Sequence, residues 1–491
     1  MGKHSIEKRE KVSGPSLSDL RLRTAARQAT SRTRQYHRIG AAAGGLLGMA
    51  LLPIAAAHAD DWTITPAPGS PEIFTGIYGH GFEGGDTAPP AVSGSIQGHQ
   101  TFDWTNTTTS QNGTFFGLES YSNDNLGGIN TEVYVAGDAT GTGAPAVGSV
   151  FDTYSYDYGL YANVYSAVPN AAGGSTVTDT LQTPLGSIVI PTTFDAANGL
   201  IADAGGVATG NGGSMIPVGS QDVTSISGIP PLTVALQGTQ DFNFLNAAGA
   251  SVGTVGTVDT TTTDGVGTYT EAVLVTDDGA LTNVGTTAAD VPAEGSIFNT
   301  INLGGMVNVY SDYVGAAGNQ YQDTLYTSLG NYVIPTTFDA AQVETLTNSP
   351  ITLPSGMSFD PTTELNFTGI NGLPPVDVGV QGGQDFNFTD GAATGSFTAD
   401  VTNTLDAFND STETILVTST SDAAALPTGS EFEIVSLGYG YESVYSDIAG
   451  STATETLVTP FGDISIPPSF DVASQFVSDM FSVIAGGGML N

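Results

Sequence analysis

The segment Asp179-Thr-Leu-Gln-Thr-Pro-Leu-Gly-Ser-Ile-Val-Ile-Pro-Thr-Thr-Phe-Asp195 occurs three times in this chain of 491 residues. It returns as Asp323-Thr-Leu-Tyr-Thr-Ser-Leu-Gly-Asn-Tyr-Val-Ile-Pro-Thr-Thr-Phe-Asp339 and as Glu455-Thr-Leu-Val-Thr-Pro-Phe-Gly-Asp-Ile-Ser-Ile-Pro-Pro-Ser-Phe-Asp471, with no insertions. Each copy has a short β-prone run, a turn containing glycine and a second β-prone run. The segment therefore predicts a β-hairpin that is used three times.

The third copy predicts which way the returning strand faces, because Ile464 and Ile466 flank Ser465. Side chains alternate between the two faces of a strand, so the isoleucine positions are expected to point inward and the middle position outward. The inward set is Ile188, Ile190, Tyr332 and Ile334, and the outward set is Val189 and Val333.

The residues around the hairpin predict where it bends and where it ends. A positive φ after the turn would explain the glycine at the same place in each copy, Gly186, Gly330 and Gly462. Proline cannot donate to the strand ladder, so the strand should stop at Pro191, Pro335 and Pro467. Each copy ends in Phe-Asp, and this Asp is expected to cap a short helix. The last such helix is predicted from about Val472 to Ile484.

Further landmarks recur ahead of each hairpin, among them a Gln-Gly-x-Gln motif that begins at Gln97, Gln237 and Gln381. These spacings of 140 and 144 residues are domain periods, since solenoid repeats run about 20–50 residues. The sequence predicts a mainly β fold of three homologous β-sandwich or barrel-like repeats, each ending in a hairpin and a short helix. Three repeats that share one extended sheet are the alternative.

The predicted organisation has four parts. Residues 1–59 form a signal peptide, 60–205 β repeat 1, 206–345 β repeat 2, and 346–491 β repeat 3 with a C-terminal helix. The signal peptide is indicated by a basic leader, an apolar run from Ala41 to Ile54 and the Ala57-His-Ala59 cleavage motif, which places the cut before Asp60. A retained membrane anchor is the alternative for this run.

The charge distribution restricts the partners. All ten Lys and Arg lie between Lys3 and Arg38, whereas 46 of the 49 acidic residues come later. Such a surface repels phosphate backbones, so nucleic acid is excluded as a partner. Cations or basic protein surfaces, with envelope glycans as a further class, are the expected partners. The chain has no cysteine, hence no disulfides, and after signal cleavage no other stretch could cross a bilayer as a helix.

No set of catalytic residues emerges from the sequence. A Ser-His-Asp triad needs a histidine, and the predicted mature chain has only His80 and His99. Glu132, Glu271 and Glu413 are expected to hold the same place in each repeat. That repetition argues against catalysis, because an active site is needed once whereas a cap or turn is needed in every unit. No catalytic and no cofactor-binding residues are predicted.

Calcium is the only cofactor that the sequence suggests. Hard cations bind clustered carboxylate, amide and backbone oxygens, and several predicted loops offer them. The candidate metal residues are Asp124, Asp277, Asp278 and Asp410. None lies in a D-x-D-x-D-G pattern, so ordinary solvated turns are the competing interpretation.

The long basic leader, the Ala/Gly-rich hydrophobic run and the Thr/Gly/Ala/Asn-rich repeats resemble uncharacterised exported repeat proteins of mycobacteria and related actinobacteria. This resemblance implies a secreted, cell-surface or envelope location and transfers no functional residue. The sequence favours a non-enzymatic secreted or cell-surface β-repeat protein with a structural, adhesion or binding role. A secreted hydrolase acting on envelope polysaccharide or lipid is the alternative, and an outer-membrane pore is a third.

Overall fold

The structure is a computed structural model of the full chain. It describes residues 57–59, 62–70, 73–80, 93–124, 129–156, 160–199, 206–209, 213–277, 291–314, 318–343, 348–424, 426–436, 440–449 and 453–466. Within these ranges the prediction of a mainly β protein is confirmed, since the chain forms 29 strands in three antiparallel sheets. The helix predicted from Val472 to Ile484 lies outside the described residues.

Sheet 1 contains ten strands. They are β1 (Ala57–Ala59), β2 (Trp62–Pro66), β3 (Ile73–His80), β4 (Ser93–Asn106), β5 (Gln111–Asp124), β6 (Ile129–Gly137), β7 (Val150–Tyr156), β8 (Tyr161–Pro169), β9 (Ser175–Thr183) and β10 (Gly186–Val189). A four-residue helix, α1 (Ala196–Gly199), follows the sheet. The strands pair in chain order, except that β4 is long enough to pair with both β2 and β3 on one edge.

Sheet 2 contains nine strands. They are β11 (Val207–Thr209), β12 (Gly213–Ile229), β13 (Thr233–Leu245), β14 (Ser251–Asp264), β15 (Tyr269–Asp277), β16 (Ile297–Asn302), β17 (Met306–Tyr313), β18 (Gln320–Thr327) and β19 (Gly330–Ile334). Strand β12 pairs with β13 along its length, so it takes the place that β2 and β3 share in sheet 1.

Sheet 3 contains ten strands in the order of sheet 1. They are β20 (Ile351–Thr352), β21 (Ser358–Pro361), β22 (Asn366–Gly372), β23 (Asp377–Asp390), β24 (Ala393–Asp406), β25 (Ser411–Thr420), β26 (Glu431–Ser436), β27 (Glu442–Asp447), β28 (Thr454–Val458) and β29 (Ile464–Ile466). In the described residues the three sheets are separate, and no extended sheet is shared.

Sheets 1 and 2 curl around cores of their own. In sheet 1 the first strand, β1, lies against β7, β8 and β9, and in sheet 2 the first strand, β11, lies against β16 and β17. The core of sheet 1 is aromatic, with Trp104, Phe115 and Phe151 fully buried. Single curled sheets, rather than two-layer sandwiches, therefore enclose the apolar residues.

Each unit packs one of its strands against the sheet of another unit, and these contacts join the three sheets. The second half of β12 lies on β4, β5 and β6 of sheet 1, and β22 lies on β13, β14 and β15 of sheet 2. Strand β3 contacts β24 and β25 of sheet 3. Each sheet thus receives a strand from another unit, and the contacts form a closed cycle of three.

The repeated segment forms a hairpin as predicted, but its apolar side chains are not inside. Strands β9 and β10 pair around Pro184-Leu185, with Gly186 at a φ of 126°. The strands end before the prolines. The predicted inward set is wrong, because Ile188 is 57% exposed and Tyr332 is 52% exposed. The returning strand is the last of its sheet, so neither of its faces is covered by a following element.

Candidate functional site

One line of side chains crosses six neighbouring strands of each sheet in strict register, and we call it the polar row. In sheet 1 it consists of Gln97, Ser120, Glu132, Asp152, Tyr165 and Asp179. In sheet 2 it consists of Gln237, Thr260, Ala272, Asn299, Tyr310 and Asp323. In sheet 3 it consists of Gln381, Thr402, Thr414, Glu433, Tyr445 and Glu455. All eighteen residues are buried.

The glutamine that begins the row binds the strand that the next unit packs against the sheet. Gln97 donates through Nε2 to the carbonyl of Ile226 on β12 at 3.2 Å, and Ser225 donates to the Gln97 side-chain oxygen. In sheet 2, Gln237 Nε2 donates to the carbonyl of Ile370 on β22 at 3.5 Å. A β-bulge interrupts the hydrogen bonding between strands and leaves a backbone carbonyl open to another partner. Both β12 and β22 have a β-bulge directly before this contact.

The tyrosine of the row fixes the Phe-Asp turn that ends the repeated segment. The Tyr165 hydroxyl donates to the Phe194 carbonyl at 3.1 Å and accepts from the Ala196 amide at 2.9 Å. The Tyr310 hydroxyl makes the same two bonds to Phe338 and Ala340, at 2.7 and 3.2 Å. In units 1 and 2, one hydroxyl therefore satisfies two buried backbone groups.

The aspartate after Phe194 acts as the predicted cap, because Asp195 Oδ1 accepts from the Asn198 amide at 3.2 Å at the start of α1. In unit 2, Asp339 accepts instead from the Asn319 side chain at 2.9 Å. The third aspartate, Asp471, lies outside the described residues.

The last carboxylate of each row is held by a neighbouring polar side chain. Asn163 Nδ2 donates to Asp179 Oδ1 at 2.7 Å, and Asn308 Nδ2 donates to Asp323 Oδ1 at 2.7 Å. Burial raises the pKa of both aspartates, and the bond from the asparagine opposes this rise. These carboxylates act as acceptors within the sheet and do not face solvent.

The middle of the row differs between the units. Sheet 2 has Ala272 beside Asn299, whose Nδ2 donates to the Pro374 carbonyl of unit 3 at 3.2 Å. Sheet 1 has two carboxylates, Glu132 and Asp152, opposite each other on β6 and β7. Their four oxygens are buried without a hydrogen bond of normal geometry, and no Lys or Arg exists after Arg38 to neutralise them.

Two carboxyl groups that are buried side by side without a counter-charge favour the protonated form. Burial is the main cause that raises the pKa of Glu132 well above its usual value, and the charge of Asp152 raises it further. Burial also raises the pKa of Asp152, and the neighbouring Asn130 opposes this effect. Since two adjacent buried carboxylates cannot both ionise cheaply, the pair is protonated at least once near neutral pH.

Other buried carboxylates share this property. Burial raises the pKa of Asp312 to about 7 and that of Glu413 to about 7. Glu431, which is paired in register with Asp447 in sheet 3, has a pKa raised well above its usual value, first by burial and then by Glu433 and Asp447. Burial therefore raises the pKa of carboxyl groups in all three sheets, to about 7 for Asp312 and Glu413.

The expected equivalence of Glu132, Glu271 and Glu413 is wrong. The amides of Val135, Val275 and Val417 make the same bond to a serine carbonyl, which fixes the alignment of β6, β15 and β25. Three residues before these valines are Glu132, Ala272 and Thr414, which therefore occupy equivalent positions. Glu271 and Glu413 lie four residues before their valines, one position further. A shift of one residue turns a side chain to the opposite face, so Glu271 and Glu413 point into the cores of their own sheets.

The candidate calcium residues lie in different units. Asp277 is exposed at the end of β15, Asp410 lies in the β24–β25 turn, and Asp278 and the side chain of Asp124 are not described. Residues in the position of Asp124 cap turns: Asp264 Oδ1 accepts from the Val266 amide at 3.0 Å. Among the described residues no group of three or more His, Cys, Asp or Glu side chains could hold a metal.

The remaining enzyme candidates are isolated from one another. His99 lies on β4 with its ring 5.4 Å from the ring of Phe116, and the His80 side chain lies outside the described part of the chain. An open pocket of about 320 Å³ near β24 has Asp385 as its one titratable lining residue, and Thr398 donates to this carboxylate at 2.7 Å. The pocket therefore lacks the acid–base pair that hydrolysis by carboxylates needs.

The sequence analysis missed Asp152 as the partner of Glu132. A signal was present: Phe151-Asp152, Phe298-Asn299 and Phe432-Glu433 share an aromatic residue followed by a polar one at the same place in each unit. In each pair the phenylalanine is buried in the core of its own sheet and the polar residue joins the row.

Comparison of the chain with protein-family models, with curated proteins and with solved structures finds no match. In the part of the chain that the structure describes, no helix has the length and apolarity to span a membrane.

Proposed function

We propose that this chain is a non-enzymatic secreted or cell-surface protein, built of three homologous β repeats, whose role is structural or adhesive and depends on binding. The signal peptide directs its export, and cleavage before Asp60 removes β1, so that sheet 1 of the mature chain begins at β2. The polar row carries the proposal, because it recurs in all three units, is buried, and bonds through Gln97 and Gln237 to strands of neighbouring units.

Three features support a binding role over hydrolysis. The carboxylate that ends the polar row is buried in every unit, and the described pocket has a single carboxylate that is already bonded to Thr398. The cycle of inserted strands joins the three units into one assembly. Such a scaffold presents its turns at fixed positions, which suits recognition of an extended surface.

The test is expression of the full chain with its own leader in an exporting host, followed by assays of the released protein. Mass spectrometry should give Asp60 as the first residue. The released protein should hydrolyse neither polysaccharide nor ester substrates. A hydrolytic activity that survives purification and is lost in Asp385→Asn, but not in the control Asp277→Asn, would overturn the proposal.

A further inference from the structure

The turns at one end of the sheets carry large apolar side chains in exposed positions. We call this set the apolar rim, and it consists of Leu160, Leu185, Leu232, Val266, Leu303, Leu329, Leu373, Phe408 and Phe461. The tips of the three repeated hairpins are among the most exposed, with Leu185 at 100%, Leu329 at 87% and Phe461 at 92%. Turn tips normally hold polar residues or glycine, so this composition needs an explanation.

The register shows that these turns share one end of each sheet. In sheet 2 the pairs that flank the turns link in succession, Ile229 with Thr233, Thr233 with Asp264, and Tyr269 with Asn302. The same edge continues to the β18–β19 turn through Met306 and Thr327. Every second turn of the antiparallel sheet therefore points the same way, and these are the turns with apolar tips.

The contacts between units place the rim of all three sheets on one side. Asn130, next to the rim end of β6, donates to the carbonyl of Gly228, next to the rim end of β12, at 2.9 Å. Asn299 on β16 donates to Pro374, which lies in the rim turn between β22 and β23. The rims of sheets 1, 2 and 3 thus form one surface.

The turns at the opposite end have a different composition. The β4–β5 turn consists of residues 107–110, the β13–β14 turn of 246–250 and the β23–β24 turn of 391–392, and together they contain only Thr, Ser, Asn, Ala and Gly. The contrast within the same sheets shows that large apolar tips are not a requirement of this fold. Among the described loops of the opposite end, the exposed large apolar residue is Val147 in the β6–β7 loop.

The backbone amides of several rim tips are bonded within their own turns. Thr183 Oγ1 accepts from the Leu185 amide at 3.1 Å and donates to the Gly186 carbonyl at 2.8 Å. Thr327 makes the same bonds around Leu329, and Thr459 makes them around Phe461. Asp406 Oδ1 accepts from the Phe408 amide at 2.8 Å. Tips of this kind enter an apolar medium without leaving amide groups unpaired.

The charge of the chain decides which partner could cover the apolar rim. A second copy would bring together two chains that carry 46 acidic residues and no Lys or Arg beyond residue 38. An anionic surface is repelled for the same reason. An uncharged lipid layer meets none of these objections.

We propose that the apolar rim inserts into the surface of a lipid layer without net charge, with the three hairpin tips as the principal anchors. This inference rests on the proposed binding role and names the partner of that role. The apolar tips enter the acyl region, and the acidic remainder of the chain stays in water. Binding then depends on apolar contact and is independent of salt.

The test is flotation of the full processed protein with vesicles of phosphatidylcholine and, separately, of phosphatidylglycerol. The protein should float with phosphatidylcholine at low and at high salt, and more weakly with phosphatidylglycerol at low salt. The triple variant Leu185→Ser, Leu329→Ser and Phe461→Ser should lower the partition coefficient by roughly a hundredfold. The matched control is Val147→Ser, Val218→Ser and Tyr321→Ser, which changes exposed residues away from the rim and should leave partition unchanged.

Several outcomes would overturn the proposal. Wild-type protein that stays with the soluble fraction would do so, as would equal partition of the two triple variants. Concentration-dependent self-association that the rim variant abolishes, without vesicle binding, would assign the rim to a second copy. Flotation only after removal of residues 467–491 would assign it to that segment. None of these results would restore a hydrolytic function, so the scaffold proposal is tested separately.

Discussion

The interface between units 1 and 2 and the interface between units 2 and 3 have the same geometry and opposite chemistry. At corresponding positions the first has Glu132 and Asp152, and the second has Ala272 and Asn299. In the second, the asparagine amide donates across the interface to Pro374 at 3.2 Å. The comparison teaches that the fold requires a buried polar row, but it does not require charge in the middle of it.

The difference predicts that the two interfaces respond differently to pH. A carboxyl group whose pKa is raised on folding binds more protons in the folded state, so the free energy of unfolding falls as the pH rises. The decline begins near the ordinary carboxylate pKa and continues through the folded values, which are about 6 for Asp400 and about 7 for Glu413. Stability should therefore be highest near pH 4–5 and lower at pH 8.

The largest expected effect is that of a charge placed in the neutral interface. Asn299→Asp removes the donor to Pro374 and buries a carboxylate without a counter-charge, at a cost of about 3–5 kcal/mol at pH 8. The loss should shrink at pH 5, where the carboxyl group is protonated. Urea unfolding at the two pH values measures both. Asn331→Asp on exposed β19 is the control, and an equal loss at both pH values would contradict the charge argument.

The next effect tests whether the inserted strands contribute equally to both interfaces. Ile226 and Ile370 are fully buried at matching positions of β12 and β22. Ile226→Ala and Ile370→Ala should each lower the free energy of unfolding by about 2–5 kcal/mol. Val218→Ala, in the exposed half of β12, should change it little. A loss at only one of the two sites would show that the cycle of contacts is not equivalent in solution.

A smaller effect is expected at the tyrosines that hold the Phe-Asp turns. Tyr165→Phe and Tyr310→Phe each leave a buried amide and a buried carbonyl without their partner, which costs about 1–3 kcal/mol. The half-exposed Tyr321 provides the control Tyr321→Phe. Thermal unfolding of wild type and variants at one fixed pH isolates the hydroxyl. No change in either variant would refute the proposed anchoring.

The smallest expected effect is that of replacing Asp152 of sheet 1 by asparagine, the residue that sheet 2 has at the corresponding position, Asn299. Asp152→Asn removes one carboxyl group of the buried pair, whose pKa burial raises, and should raise the free energy of unfolding at pH 8 by less than the losses described above. At pH 4.5 the variant and wild type should be equally stable. Asp360→Asn, at an exposed position, is the control. Destabilisation of Asp152→Asn at pH 8 would mean that the pair holds a cation instead of a proton.

Much of the local structure could be predicted from the sequence because it depends on near neighbours. The turn glycines have the expected positive φ, at 126°, 136° and 122° for Gly186, Gly330 and Gly462. The aspartate cap at Asp195 is present, and the strands end before the prolines. Each of these features is fixed by the backbone preferences of one to four consecutive residues.

The wrong predictions concern features that depend on contacts between residues far apart in the sequence. Alternation in Ile464-Ser465-Ile466 predicts one buried face, yet β29 ends its sheet and Ile464 is 54% exposed. The glutamates of the Thr-Glu motifs look equivalent, but cross-strand registry places Glu132 in an interface and Glu271 in a core. Neither strand order nor registry is encoded in a short pattern, because both follow from pairing between segments far apart in sequence.

The sequence by itself determined a mainly β protein with a threefold recurring segment, an acidic chain after a basic leader, and hairpins with defined turns. Only the tertiary structure decided that the units form separate curled sheets, that each sheet receives a strand from another unit, and that the carboxyl groups of Glu132 and Asp152 meet. It also decided that the apolar turns gather at one end. The physical reason is that turn and strand propensities act locally, whereas burial and charge proximity depend on which strands pack together.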